Sequence, residues 1–331
     1  MGSPEVPRPG ARSHGDAQQA RADKKSTIDG VLLVGFGGPE GPGEVIPFLE
    51  HVLAGVPVPA ARLEEVASHY HHFGGRSPLN AHTEAQARAL EKCLREAGID
   101  VPVRVGNRHH APFAIDALRR LAALGARRLA GVVLASHRSG AASYDKYVRA
   151  VEGARAEMGA GAPEVVYIES FHAHPGFIDA VLDRMEDALA DLPPERRRDA
   201  TILFTAHSIP TSLAQASPYV AQLEASCRLV AGRLGHEKWR LVYQSRSGRP
   251  ADPWLEPDIC DALREEAARG TRDVLAVPIG FLSDHMEVLY DLDTEAAAVA
   301  KDLGLHFLRA KTVLDHPRFI RALADAVLAL P

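Results

Sequence analysis

Short apolar runs recur along this chain, each closed by glycine or polar residues and followed by a stretch of helical periodicity. They fall at 31–35, 101–105, 129–135, 164–169, 200–205, 239–243, 274–279 and 305–310. Runs this short, apolar at consecutive positions, read as strands buried on both faces. A parallel pair needs a crossover, and a helix after each strand supplies it. Four runs precede residue 170 and four follow it. The expected fold is α/β, with two similar doubly wound, Rossmann-like domains built on four-stranded parallel sheets. The expected divisions are a disordered tail over 1–26, domains over 27–170 and 171–312, and a final helix over 313–331 that packs back on the body. In such sheets ligands bind beyond the C-terminal strand ends, so a cleft between the domains is the expected site.

Composition narrows the function classes. The chain has 331 residues and a formal charge of −5, and no basic run carries interleaved aromatics, so a nucleic-acid partner is not expected. No apolar segment is long enough to span a membrane, and the first residues lack the apolar stretch of a secretory signal. The three cysteines, Cys93, Cys227 and Cys260, show no paired spacing. That fits a reducing, cytoplasmic location without a disulfide framework. GxGxxG, GxSxG, HExxH and CxxC are all absent, which removes the dinucleotide, serine-hydrolase and tight-zinc readings.

The polar residues gather at the strand ends. His207 follows one apolar run directly, and Glu287, Asp291 and Glu295 follow another at i, i+4 and i+8. That spacing puts three carboxylates on one face of an α-helix. It reads either as a solvated stripe or as a track that handles protons or cations at a cleft. A neutral imidazole and a carboxylate converging on one cleft can move protons near pH 7 or meet a divalent cation. His285, two residues before Glu287, reads as orienting the loop or the acid. Ser77 stands either as a helix entry or as a hydroxyl for a ligand's polar edge. Trp254, between prolines, suits a cleft wall or domain packing equally.

Together LLVGFGGPEGPGEVIPFL, HHFGGRSPLN, GNRHHAPF, TAHSIP, YQSRSGRPADPWLEPDI and PIGFLSDHMEVLYDLDTE resemble the ferrochelatase family. The likeness is strongest to its soluble, actinobacterial coproporphyrin III type, and it covers roughly 28–330. The resemblance implies a chelatase-like fold and insertion of Fe²⁺ into coproporphyrin III in haem b biosynthesis. Protoporphyrin IX is the runner-up substrate; a cobaltochelatase and a porphyrin- or haem-binding protein without turnover are the competing readings. It implies that His207 and Glu287 face each other across the porphyrin as catalytic and metal-contacting residues, with Asp291 and Glu295 as the outer acidic track. Porphyrin contacts are implied at Ser77, at Tyr147 with Tyr144 as alternative, and at Trp254, Phe36, His69 and Arg76. Phe36 stands where some members have a tyrosine that ligates iron, and Leu53 and Ala54 lie near where some have propionate-binding arginines. His69, Arg76, Arg108 and Arg138 are the residues available to compensate. The C-terminus ADAVLALP lacks cluster cysteines, so no [2Fe–2S] cofactor is expected and Fe²⁺ is a substrate. A monomer is expected, with transient contacts to other haem-pathway enzymes.

Overall fold

The computed structural model describes residues 28–55, 58–247 and 251–331, so the expected tail over 1–26 lies outside the described residues. In the first half, β1 (Gly30–Gly35) leads to α1 (Val45–Val52), α2 (Ala60–His72) and α3 (Leu79–Glu96). Then come β2 (Val103–Asn107), α4 (Ala114–Ala123), β3 (Arg128–Val133), α5 (Tyr144–Met158) and β4 (Glu164–Tyr167). Helices α6 (Pro175–Leu189) and α7 (Pro194–Arg197) lead to β5 (Thr201–His207), α8 (Thr211–Gln215), α9 (Tyr219–Leu234) and β6 (Trp239–Gln244). The chain continues through α10 (Ile259–Ala268), β7 (Asp273–Val277), α11 (Met286–Tyr290), a π-helical turn (Asp291–Ala296) and α12 (Ala297–Asp302). It ends with β8 (His306–Arg309) and α13 (Pro317–Leu328).

The strands form two four-stranded sheets, ordered β2-β1-β3-β4 and β6-β5-β7-β8, with every pairing parallel. Both sheets have the same internal order, so the second half repeats the topology of the first. All six residues of β1 are buried, as are the first six of β5, which is why these strands lack an alternating polar face. In each sheet the chain reverses its direction of travel at the central pair, β1 and β3 in the first and β5 and β7 in the second. Such a switch point opens a crevice at the C-terminal ends, because the two following loops leave towards opposite sides.

Helices α6 and α13 join the halves. Phe171, Phe177 and Phe319 meet edge to face or tilted, with ring centroids 5.7–6.1 Å apart. They share one apolar cluster with Leu33 and Leu90 of the first half and Phe204 of the second. Each such fully buried side chain contributes about 1.5–3 kcal/mol relative to exposure. Beside this apolar seam runs a polar one. His137, just beyond β3, hydrogen-bonds Ser136 Oγ at 2.7 Å and Ser226 Oγ of α9 at 2.9 Å. Ser226 in turn donates to the His172 carbonyl at 2.7 Å, and the Arg138 amide donates to Gln222 at 2.7 Å. Burial pushes the His137 ring down to about 3, so it bridges the halves as a neutral imidazole.

Candidate active site

The site is assembled at the β5–β7 switch point. His207 is the last residue of β5 and sits in register with Gln244, the last of β6. The Tyr219 hydroxyl donates to the His207 carbonyl at 3.1 Å and holds the strand end. His207 Nδ1 donates to the Ser208 carbonyl, and since a carbonyl can only accept, that nitrogen carries the proton. Nε2 is the ring nitrogen left to act, on the side of Glu287. The loop that follows is tied to the tryptophan segment. Leu255 N–H donates to the Ile209 carbonyl at 3.0 Å, Thr211 N–H to Pro253 at 3.0 Å, and Ser208 Oγ to Leu255 at 2.8 Å. Trp254 therefore lines up beside Pro210 as a short antiparallel bridge.

Across the switch point, the chain leaving β7 hugs β5 before it turns. Gly280 N–H donates to the Thr205 carbonyl at 3.0 Å. A Cβ at Gly280 would stand 2.6 Å from the Ala206 Cβ and 2.8 Å from its Cα, so only glycine allows this approach. The close passage delivers α11 beside His207. The His285 ring accepts the Glu287 N–H at 3.2 Å and caps the helix. Glu287 Oε2 then lies 4.0 Å from His207 Nε2, with both side chains partly open to solvent.

Two expectations are corrected by this geometry. A porphyrin plane between His207 and Glu287 would need about 7 Å, two carbon contacts of about 3.5 Å each. At 4.0 Å the pair leaves no room for the macrocycle between its two members. The acidic residues also do not lie along one plain α-helical face, because a π-helical turn begins at Asp291. The wider turn changes the phase of everything beyond it. Asp291 turns in, accepting from Ser245 Oγ and from Gln244 Nε2, which also donates to the Glu287 carbonyl at 3.3 Å. Glu295 faces Asp258 and Glu65, and burial followed by their charges raises its pKa. Burial pushes Asp291 up to about 7 against the opposing bond from Ser245, with Glu287 and Glu295 adding to the rise. Gln244 and Ser245 escaped the sequence reading. The only signal was Ser245's place directly after a strand, where it adopts φ 61° to reach the carboxylate.

The comparisons with known proteins bear on this site. The ferrochelatase family model matches residues 28–329. This chain belongs to the ferrochelatase family. A coproporphyrin III ferrochelatase of Streptomyces coelicolor is 45% identical over 92% of this chain and 85% of that protein. One from Mycolicibacterium smegmatis is 42% identical over 91% and 89%, and a ferrochelatase of Rhodopirellula baltica 45% over 90% and 85%. Among solved structures, the sirohydrochlorin chelatase SirB of Bacillus subtilis in complex with cobalt aligns with TM-score 0.52 at 14% identity, covering 90% of this chain and 93% of its own. That likeness shows the chelatase fold.

In this ferrochelatase-family chain the first domain supplies the opposite wall of the crevice. Phe36 follows β1 and packs on His109 at 4.6 Å and on Tyr147 at 6.5 Å between ring centroids. Burial pushes the Tyr147 phenol up to about 12, and the negative charge of Glu287 adds to the rise for Tyr70, Tyr147 and Tyr219 alike. The field of Glu287 thus reaches side chains of α2, α5 and α9. The His69 ring is stacked on Tyr290 of α11 at 3.6 Å and 11°, closing α2 onto the acidic helix. Ser77 is buried at the entry to α3, where its Oγ accepts the Leu79 N–H at 3.3 Å. Arg76 pairs with Glu40 at 2.9 Å and is largely exposed. Arg138 pairs with Glu169 at 3.4 Å and lies 5.0 Å over the Tyr144 ring. Arg108 differs from both. It carries no carboxylate within ion-pair distance among the described residues, nor do Lys146 and Arg149, one helical turn apart on α5. Burial lowers the pKa of Arg108 and Lys146, and the neighbouring positive charge of Arg149 lowers both further.

Proposed function

We propose that this protein inserts Fe²⁺ into coproporphyrin III, and that His207 and Glu287 act on one face of the macrocycle. The observation that carries the reading is the 4.0 Å approach of His207 Nε2 to Glu287, with Nδ1 tied to the Ser208 carbonyl. Behind the pair stands a carboxyl that titrates near pH 7. Metal insertion expels the two inner N–H protons of the porphyrin. His207 Nε2 is the position from which the imidazole accepts a pyrrole proton, because Nδ1 is held by the Ser208 carbonyl. Glu287, partly open to solvent, takes the proton from the imidazole or meets the incoming cation. Burial raises Asp291 to about 7, which suits it to take and release a proton as the pair reloads. Gln244 links the Glu287 backbone to the Asp291 carboxylate and keeps the two acids in fixed relation. Distortion of the ring is driven by the shaped crevice, whose remote contacts supply the binding energy.

The choice of coproporphyrin III is supported by the relatives that carry that substrate in their names. It is also supported by Arg108, Lys146 and Arg149, which leave positive charge uncompensated at the crevice wall. A tetracarboxylate porphyrin offers more partners for such charges than a dicarboxylate one. Cys93, Cys227 and Cys260 lie on three different helices, and burial raises all three thiols, Cys260 to about 12. The reading assigns no metal-holding role to these three cysteines. The test is anaerobic Fe²⁺ insertion with coproporphyrin III and protoporphyrin IX side by side. Coproporphyrin III is expected to show the higher kcat/KM, and His207→Ala to lose at least about 100-fold in kcat. Tight porphyrin binding without insertion by the wild-type protein, or a near-normal His207→Ala, overturns the reading.

A further inference from the structure

The acidic segment is gripped from its far side by a residue outside the crevice. Arg309 is the last residue of β8, and its side chain is 14% exposed. Its Nε donates to Asp293 Oδ1 and its Nη2 to Asp293 Oδ2, both at 2.7 Å. Its Nη1 donates to Asp284 Oδ1 at 2.9 Å. Asp284 is buried, and the same oxygen accepts the Thr312 N–H at 3.1 Å. Leu314 N–H donates to the Leu282 carbonyl at 2.9 Å, so the two loops are stitched on either side of the guanidinium. Asp284 lies three residues before Glu287, and Asp293 two residues after Asp291. One side chain therefore holds both the loop that launches Glu287 and the π-helical turn that carries Asp291.

We propose that Arg309 is a positioning residue for metal insertion, clamping Asp284 and Asp293 so that Glu287 meets His207 while Asp291 meets Gln244 and Ser245. The proposal rests on the iron-insertion reading. A π-helical turn is a rare conformation and needs outside support to persist against the ordinary α-helix. Here the inner support is Gln244 and Ser245 on Asp291, and the outer support is the fork of Arg309 on Asp293. Without the fork the turn is free to tighten, which rotates Asp291 and Glu295 relative to Glu287. A lysine cannot replace it, because a single ammonium does not span both oxygens of Asp293 and still reach Asp284.

Arg309→Lys, Asp293→Asn and the double variant test the clamp. The measurements are kcat and KM for anaerobic Fe²⁺ insertion, with porphyrin-binding stoichiometry from fluorescence quenching to count folded sites. A displaced catalytic group costs on the order of 10–100-fold in kcat, and porphyrin KM is expected to stay within about 3-fold. The double variant is expected to be no worse than Arg309→Lys by more than about 2-fold, since both changes open the same clamp. If Arg309→Lys fails to fold, Asp293→Asn keeps the Arg309–Asp284 pair and carries the test alone. Stoichiometric porphyrin binding with near-wild-type kcat in the single variants overturns the clamp, as do fully additive losses. Wild-type protein that inserts no iron overturns the underlying reading, a result distinct from active wild type with unaffected variants.

Discussion

Asp291 shows how one residue's chemistry depends on what folds over it. In the sequence it is the middle of three acids whose spacing reads either as a solvated stripe or as a track. In the structure burial raises it to about 7, against about 4 for an unfolded aspartate. The folded state therefore holds the proton more tightly than the unfolded one. Stability from this site is fully present below about pH 4 and is lost as pH rises through 7. Asp291→Asn removes that loss. Urea unfolding at pH 5 and pH 8 is expected to show the variant gaining on wild type at the higher pH by on the order of 2 kcal/mol. A gap that does not change with pH excludes a buried, raised carboxyl. His207 is the opposite case. The motif around it marked the residue, but only the Nδ1 bond to Ser208 identifies which nitrogen is free to act.

At the scale of elements, the loop between β7 and α11 decides whether the site exists. Its apolar strand and polar turn were legible because a buried parallel strand leaves a continuous hydrophobic run. The closeness of Gly280 to β5 was not, since a glycine after a strand is compatible with many turns. Gly280→Ala puts a Cβ within 2.6 Å of Ala206, so the loop must move away from β5. Overpacking of this kind costs about 1–3 kcal/mol. Thermal unfolding is expected to show that loss together with a drop in kcat, and unchanged insertion kinetics would separate the glycine from the site. The π-helical turn was equally hidden. Spacing at i, i+4 and i+8 reads as one α-helical face, and nothing local announces an inserted residue. It is held by Ser245 and Arg309, which come from opposite edges of the sheet.

For the whole molecule, the division into two repeats of the same topology places two crevice walls face to face. The second half brings His207, Glu287 and Asp291, and the first brings Phe36, Tyr147 and the uncompensated cations Arg108, Lys146 and Arg149. Among the described residues no helix is long and apolar enough to cross a membrane. The double variant Arg108→Gln, Lys146→Gln is expected to raise KM for coproporphyrin III by about 10-fold, the worth of one charge-assisted pair, and KM for protoporphyrin IX by less. The salt dependence of coproporphyrin KM should weaken in parallel. Equal effects on both porphyrins would remove these cations from substrate choice.

The sequence by itself determined the α/β class, the four strands in each half, the family, and the strand ends where polar residues collect. Those features are written in local hydrophobic period and in contiguous motifs, which need no distant partner to be recognised. Only the tertiary structure decided that His207 and Glu287 stand 4.0 Å apart and that Asp291 is buried behind Gln244 and Ser245. It alone showed Arg76 paired to Glu40 and Arg108 left without a carboxylate partner among the described residues. Each of these depends on residues from distant segments meeting in space, and the buried ones also on burial, which sets the cost of a charge. Neither quantity is carried by any one stretch of the chain.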